Sequence, residues 1–416
     1  MAKNFKSLYD AVSDESALNQ SWFCVEESTP GVLGDPVDAS FFFTRAGGSV
    51  DHQQPKQSSD HRSGRHNRDI IKEKKTTSWS IPTYVNIDTT QGSATSAEVE
   101  PAIRTMWKAL LGYEDTAAGA LYDPRLDPSI TFSLYENGGK FATQLPSCFV
   151  EGMSFSAPGD STATMDWSGG AADRFRVGIG KSTISNDGGN TITLATAAEA
   201  KRFPKGAKVM LVKYSDGLTR STDTPNGSYR LVSDVNTATG VVTLDGAALA
   251  DADGTVGGGI LISYAEPESP TGIADIQTGL VGSMDINGLG GNVACMRSFS
   301  LEFANNLERV NYCYGTAALA TPFYNIGGRL DISVSVEMNL NDNTGEWLYD
   351  LDTFTSQDLE FILGDASGRH LKIEMPKCIF DVPSVTYPES GSVPFSADGM
   401  AFETVSGGDE ITVSYL

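Results

Sequence analysis

The 416-residue chain is short of positive charge: thirty Lys and Arg stand against fifty-three Asp and Glu, for a net charge of −23. Non-specific nucleic-acid binding needs a cationic footprint to displace counterions, so a DNA- or RNA-coating role is excluded. Cysteine is scarce too. Cys24, Cys148, Cys295, Cys313 and Cys378 are odd in number, scattered and never spaced as CxxC, which argues against a disulfide framework and a zinc site. No run of about eighteen apolar residues occurs, so no membrane insertion is expected. Met1–Ser16 has no apolar h-region, so a signal peptide is not expected and the cytosol is the expected place of synthesis.

Catalytic signatures are also missing. There is no GxSxG, GxxxxGK[ST] or HExxH, and the one approach to a calcium loop, Asp251-Ala-Asp253-Gly254, has its Gly too early and Ile262 where a bidentate Glu is required. No enzyme, metal or cofactor is expected.

What is present is glycine, 43 residues of it, with 40% hydrophobic residues and strand-period alternation. Trp79–Ile87, Phe299–Phe303 and Leu330–Met338 place one residue in two on an apolar face. One long helix stands out: Ser96 as cap, Glu98 and Glu100 in the first turn, a stripe of Ile103, Met106, Trp107, Leu110 and Leu111, and Gly112 as stop. The class is mainly β with a little helix, in two to four domains at roughly 100–200 residues each.

An internal repeat sets Ile130–Val150 beside Glu360–Phe380 at an offset of about 230 residues, without a gap. Gly138 falls on Gly368, Pro146 on Pro376, Cys148 on Cys378 and, further on, Pro158 on Pro388. Each copy reads as a hairpin followed by a strand carrying a small thiol. Recurrence of Cys148 and Cys378 in apolar strands without a recurring histidine favours packing over nucleophilic chemistry. The expected layout is an N-terminal arm at 1–20, a first β domain at 21–170, an inserted small β-barrel or sandwich at 171–270, and a second β domain at 271–416. Acidity concentrates in the two copies.

One segment reverses that acidity. A loop at 51–75, expected to be unstructured, carries Lys56, Arg62, Arg65, Arg68, Lys72, Lys74 and Lys75 with three of the four histidines, His52, His61 and His66. His61 and His66 with Asp60 and Asp69 could hold a metal, but a solvated loop that orders against a partner is the favoured reading.

Each half resembles the tail tube (major tail) protein of long-tailed bacteriophages. The second copy carries the resemblance best, through Phe299–Phe303, Asn305-Asn-Leu-Glu-Arg-Val-Asn-Tyr-Cys-Tyr-Gly315, Gly327–Met338, the Pro376/Cys378 strand and Ile411–Leu416; the first matches through Thr29–Gly34, the long loop, Trp79–Ile87 and Pro146/Cys148. The resemblance implies two tandem tail-tube-type β-barrel or sandwich domains, each with a flanking helix, plus the inserted domain. It further implies a virion protein whose rings stack into a hollow conduit for DNA ejection. The long loop would be the contact to the next ring, and Asn305, Asn306, Glu308, Arg309, Asn311 and Tyr314 form the corresponding loop of the second copy.

Rings of six single copies are usual in such a family, so a duplicated chain is expected to close as a homotrimer. The implied partners are further copies of the chain, a tape measure protein, a tail terminator and baseplate or distal tail proteins, with viral DNA passing through unbound. An alternative is a β-rich fibre, decoration or adhesin protein that binds glycans through 171–270, where Tyr214, Tyr229 and Tyr264 offer stacking surfaces.

Overall fold

A computed structural model describes residues 4–11, 20–37, 40–58, 62–63, 66–67, 70–72, 75–87, 99–115, 120–124, 130–182, 189–221, 227–249, 258–263, 275–286, 296–310, 323–326, 329–364, 369–404 and 409–416. The fold is mainly β.

Among the strands of the first part of the chain are β1 (Ser21–Glu26), β2 (Ser49–Gln53), β3 (Thr76–Tyr84), β4 (Phe132–Asn137), β5 (Ala142–Pro158), β6 (Thr164–Ala171) and β7 (Phe175–Val177). Six short strands follow: β8 (Gly180–Lys181), β9 (Thr191–Thr193), β10 (Lys208–Lys213), β11 (Arg230–Asn236), β12 (Val241–Leu244) and β13 (Gly259–Ile262). The last part of the chain includes β14 (Gly282–Ile286), β15 (Met296–Ala304), β16 (Asp331–Asn339), β17 (Gln357–Gly364), β18 (His370–Phe380), β19 (Pro394–Ala401) and β20 (Thr412–Tyr415). Helices α1 (Phe5–Asp10), α2 (Pro101–Leu111) and α3 (Asp342–Asp352) accompany them.

Alternation makes the strands. In β3, Thr77, Trp79, Ile81 and Thr83 are buried while Ser78 and Ser80 face out. Helix α2 begins with Pro101 after Glu100, which caps without a side-chain hydrogen bond; Ser96 and Glu98 lie outside the described residues. Its stripe Ile103, Met106, Trp107, Leu110 and Leu111 is buried, and Gly112 at φ 91° ends it in the left-handed region that glycine adopts freely. Helix α3 opens with a capping box, Asn341 and Thr344 exchanging side-chain and backbone hydrogen bonds.

The first and last strand groups, with the short strands Phe41–Phe42, Gly112–Asp115 and Ala120–Pro124, form one seventeen-stranded antiparallel system, and β8–β13 form a separate six-stranded sheet ordered β8-β13-β10-β11-β12-β9. The main core lies under the large sheet and mixes both groups. Trp107 stacks on Tyr122 at 6.1 Å and meets Trp167 and Phe303 edge-on at 5.2 and 5.8 Å. Its Nε1 donates to the Tyr415 hydroxyl at 3.1 Å. Trp347 of α3 meets Phe380 at 5.3 Å and Phe395 at 6.1 Å.

The six-stranded sheet has its own core around Ile192, Phe203, Val209, Leu211, Val242 and Leu261. Its other face packs Met210, Val212, Ile260 and Ile262 against Phe5 of α1 and Phe23, Tyr135 and Ala142 of the large sheet.

The long segment 51–75 differs from expectation. Among its described residues, two short antiparallel ladders follow the β2–β3 pair and together make a ribbon: Lys56–Ser58 pairs with Ile70–Lys72, and Arg62–Ser63 with His66–Asn67. Backbone groups that a loop would leave to water are instead paired across the ribbon.

Candidate assembly interface

The two large strand groups repeat one another pairing by pairing. In the first, β1 pairs with β4, β4 with β5, β5 with β7 and β6, β6 with β3, and β3 with β2. In the second, β14 pairs with β17, β17 with β18, β18 with β20 and β19, β19 with β16, and β16 with β15. Helices α2 and α3 occupy the same place in the order.

Register makes the match residue by residue. Phe149 opposes Gly170 and Val150 opposes Gly169, as Ile379 opposes Met400 and Phe380 opposes Gly399. Trp79 opposes Gly169 as Val334 opposes Gly399, and Val50 opposes Trp79 as Leu301 opposes Val334.

The hairpin ahead of the shared Cys requires a correction. Phe132 opposes Cys148 and Leu134 opposes Leu145, but Gln357 opposes Cys378 and Leu359 opposes Met375. The second hairpin is therefore five residues longer, and the gapless alignment holds for β5/β18 but not for β4/β17. Both hairpins carry a bulge at the Pro-x-Cys site, and both thiols approach the carbonyl three residues back: Cys148 Sγ to Leu145 O at 3.4 Å, Cys378 Sγ to Met375 O at 4.0 Å.

Cys148 and Cys378 are fully buried. Burial, with Glu27 nearby, holds the Cys148 thiol far above its usual range, and burial pushes Cys378 up to about 12. Protonated thiols pack and do not attack. Pro146 is buried, whereas Pro376 is exposed.

A residue the sequence did not flag holds the first bulge. Ser147 sits at φ 46°. The buried Glu27 carboxylate accepts from Ser147 N at 2.8 Å, Ser147 Oγ at 3.2 Å, Ser133 Oγ at 2.7 Å, Thr131 Oγ1 at 2.9 Å and Gly31 N at 3.0 Å. The second Glu of Glu26-Glu27, ahead of Ser28-Thr-Pro-Gly31, carries no sequence signal for this role.

The halves meet edge to edge. Residues 152–158 of β5 pair with 298–304 of β15, Gly152 opposite Ala304 and Pro158 opposite Ser298. Eight strands then run in the order β2-β3-β6-β5-β15-β16-β19-β18. One face of this sheet is core, with Phe155, Phe299, Leu301, Val334 and Val336 buried. The other presents Ser154, Ser300, Glu302, Ser333, Ser335 and Asp398, which line an open groove of ≈ 650 Å³. Arg45 and Arg297 on this side are held by Asp166 at 3.4 Å and Glu337 at 2.9 Å.

Each half also sends a ribbon from the same position, between β2 and β3 or between β15 and β16. The second ribbon pairs Leu307–Val310 with Phe323–Ile326, Glu308 opposite Asn325 and Arg309 opposite Tyr324. Of the first ribbon's flagged residues, Lys56 and Lys75 are exposed, and Arg62, His66 and Lys72 lie in its paired strands. His52 shares a 2.7 Å hydrogen bond with Thr77 Oγ1, and burial and nearby Arg174 lower its pKa, which disfavours the charged form. His61, Arg65, Arg68 and Lys74 lie outside the described residues, as do Asn311 and Tyr314.

Asn305 is a clamp, not a surface contact: it is buried and donates to Leu110 O at 3.3 Å and Val150 O at 3.2 Å. Asn306, at φ 45°, donates to Arg329 O at 2.8 Å and Asp331 Oδ2 at 2.9 Å at the ribbon's base. In the six-stranded sheet, Lys181 Nζ lies 3.8 Å from the Tyr214 ring centroid and the Arg220 guanidinium 5.9 Å from that of Tyr229, so both rings are already engaged. Tyr264 lies outside the described residues.

No curated protein matches the chain. Among solved structures, a chain from the tail of an empty gene transfer agent particle, computed with helical refinement and C6 symmetry, aligns at 14% identity over 33% of this chain and 94% of that chain, with TM-score 0.24. A chain from the virion of a native gene transfer agent particle aligns at 15% identity over 34% of this chain and 98% of that chain, also with TM-score 0.24. Residues 236–415 match a family described as phage tail tube protein. The match takes in the whole second strand group, so that part of the chain is similar to a phage tail tube protein.

Proposed function

We propose that three copies of this chain close a ring of six equivalent β modules, and that such rings stack into the hollow tube through which viral DNA is ejected. The observation that carries this reading is the β5–β15 junction: two copies of one strand arrangement are already joined side by side within a chain. Repeating the same step between chains brings eight strands from each of three subunits around a common axis, and cyclic closure removes the open edges.

The Ser- and acid-rich sheet face is the lumen wall in this reading, because the opposite face is covered by core and helices. DNA slides past such a wall without adhering, since acidic groups within a screening length of about 8–10 Å repel phosphate. The two ribbons of each chain reach the adjacent ring, where Lys and Arg of the first meet acidic surface. Residues 21–170 and 271–416 are the two wall modules, 1–20 is an arm, and 171–270 is an outer decoration. A tape measure protein, a tail terminator and distal tail proteins complete the tail.

Electron microscopy of the purified chain tests this. Six-lobed rings or hollow tubes, with a trimer mass by native mass spectrometry, are expected. Monomers at all concentrations overturn it.

A further inference from the structure

The two strand groups differ at one edge. Strand β5 runs unbroken from Ala142 to Pro158, and its last third lies between β6 and β15. Its counterpart β18 stops at Phe380, and residues 381–388 form no strand. Six of them are exposed, Pro383 and Val385 being half-buried: Tyr387, at the position of the buried Ala157, is 73% exposed and Val382 is 47% exposed. A groove of ≈ 640 Å³ lined by Val382, Pro383, Thr386, Pro394, Ser396 and Asp398 lies where 152–156 pair with 164–168 in the first group. At the chain's other edge, among the described residues, β2 pairs with β3 alone, while its counterpart β15 is flanked on both sides. Val50 is accordingly half-buried and Leu301 fully buried.

We infer that residues 382–388 of one chain fold into a strand on assembly and add, antiparallel, to residues 47–53 of a second copy, with Thr386 opposite Ser49. The register comes from the junction already made within the chain. Ser156 opposes Ser300 there, Ser156 corresponds to Thr386 through the Cys148/Cys378 match, and Ser300 corresponds to Ser49 through Leu301/Val50. Gly159 N donates to Arg297 O and Glu151 O accepts from Asn305 N, so the odd-numbered positions of β5 bond toward β15. Pro383, at the place of Met153, brings no N–H, and the intermolecular ladder has one bond fewer than the internal one. The same proline keeps the free edge from pairing indiscriminately before assembly. This inference rests on the ring reading above and adds its strand partners and register.

Paired cysteines test it. Directly opposed antiparallel residues have Cα atoms about 4.5–5.5 Å apart, within disulfide range. Both Ser49 and Thr386 are exposed, so Ser49→Cys with Thr386→Cys does not disturb the core. Under mild oxidation of rings verified by microscopy, this pair should give covalent dimers and trimers that neither single variant nor the unsubstituted chain gives. Ser49→Cys with Tyr387→Cys, placed on opposite faces, should not cross-link. Rings that form without the 49/386 cross-link, or that cross-link equally through 49/387, overturn the register and leave the ring reading standing. A chain that forms no rings overturns both.

Discussion

Gly169 and Gly399 occupy the same position in the two halves, and the same obstacle requires each to be glycine. A Cβ on Gly169 would overlap the Phe149 carbonyl oxygen and come within 2.6 Å of the Trp79 ring; one on Gly399 would lie 2.8 Å from the Ile379 carbonyl oxygen and 2.7 Å from the Phe380 ring. Close strand approach at the bulged end of β5 and β18 is thus built twice.

Gly169→Ala is expected to destabilise by at least about 2–3 kcal/mol, because backbone and a buried indole must both move, and Gly399→Ala by about 1–2 kcal/mol. Gly345→Ala, in α3 with open space around it, should instead be neutral or stabilising by up to about 1 kcal/mol. Denaturant unfolding of the three variants checks the order.

Much of the duplication was legible before any coordinates. Cys148/Cys378 and Pro146/Pro376 lie on a true offset, and Gly169/Gly399 lies on it too. The missed gap has a physical cause. Strand β4 is buried on both faces, so Phe132, Ser133, Leu134 and Tyr135 show no alternation that would reveal a slip of an odd number of residues. The ribbon at 51–75 was hidden for the opposite reason: its stability comes from continuing the β2–β3 ladder, and polar residues in a two-stranded ribbon give no apolar period.

Glu27→Ala should cost about 3 kcal/mol or more. It strands the Ser147 and Gly31 amides and three hydroxyl groups that now converge on one buried carboxylate. Glu27→Gln, which keeps shape and part of the acceptor capacity, should cost less. Thermal unfolding of both variants reads this out, and equal losses would contradict the hydrogen-bond account.

Glu100, at the start of α2, is pushed up to about 7 from 4.5 by burial, against weaker opposing hydrogen bonds from Asn86 and the Phe43 backbone. A carboxyl whose folded pKa is raised stabilises the fold while protonated. Its contribution is complete below about pH 4.5 and is lost as pH rises through about 7. Glu100→Gln should therefore match the parent at pH 4.5 and exceed it at pH 8, by up to about 3 kcal/mol. A pH series of unfolding curves that stay parallel would contradict this.

Deleting 58–68 removes the tip of the first ribbon and leaves the β2–β3 ladder intact. Trimers should still form but stack poorly, and stacking of the unsubstituted rings should weaken with salt. Sedimentation separates rings from tubes. Full-length tubes from the deletion variant at ordinary salt would rule out the ribbon as the stacking element.

The central claim is that one chain supplies two neighbouring wall modules. Electron microscopy of assembled rings, with the chains counted in the reconstruction, tests it most directly. The account predicts three chains displaying six near-equivalent lobes around an acid-lined hole. Six chains per ring, or modules of one chain lying in different rings, would contradict it.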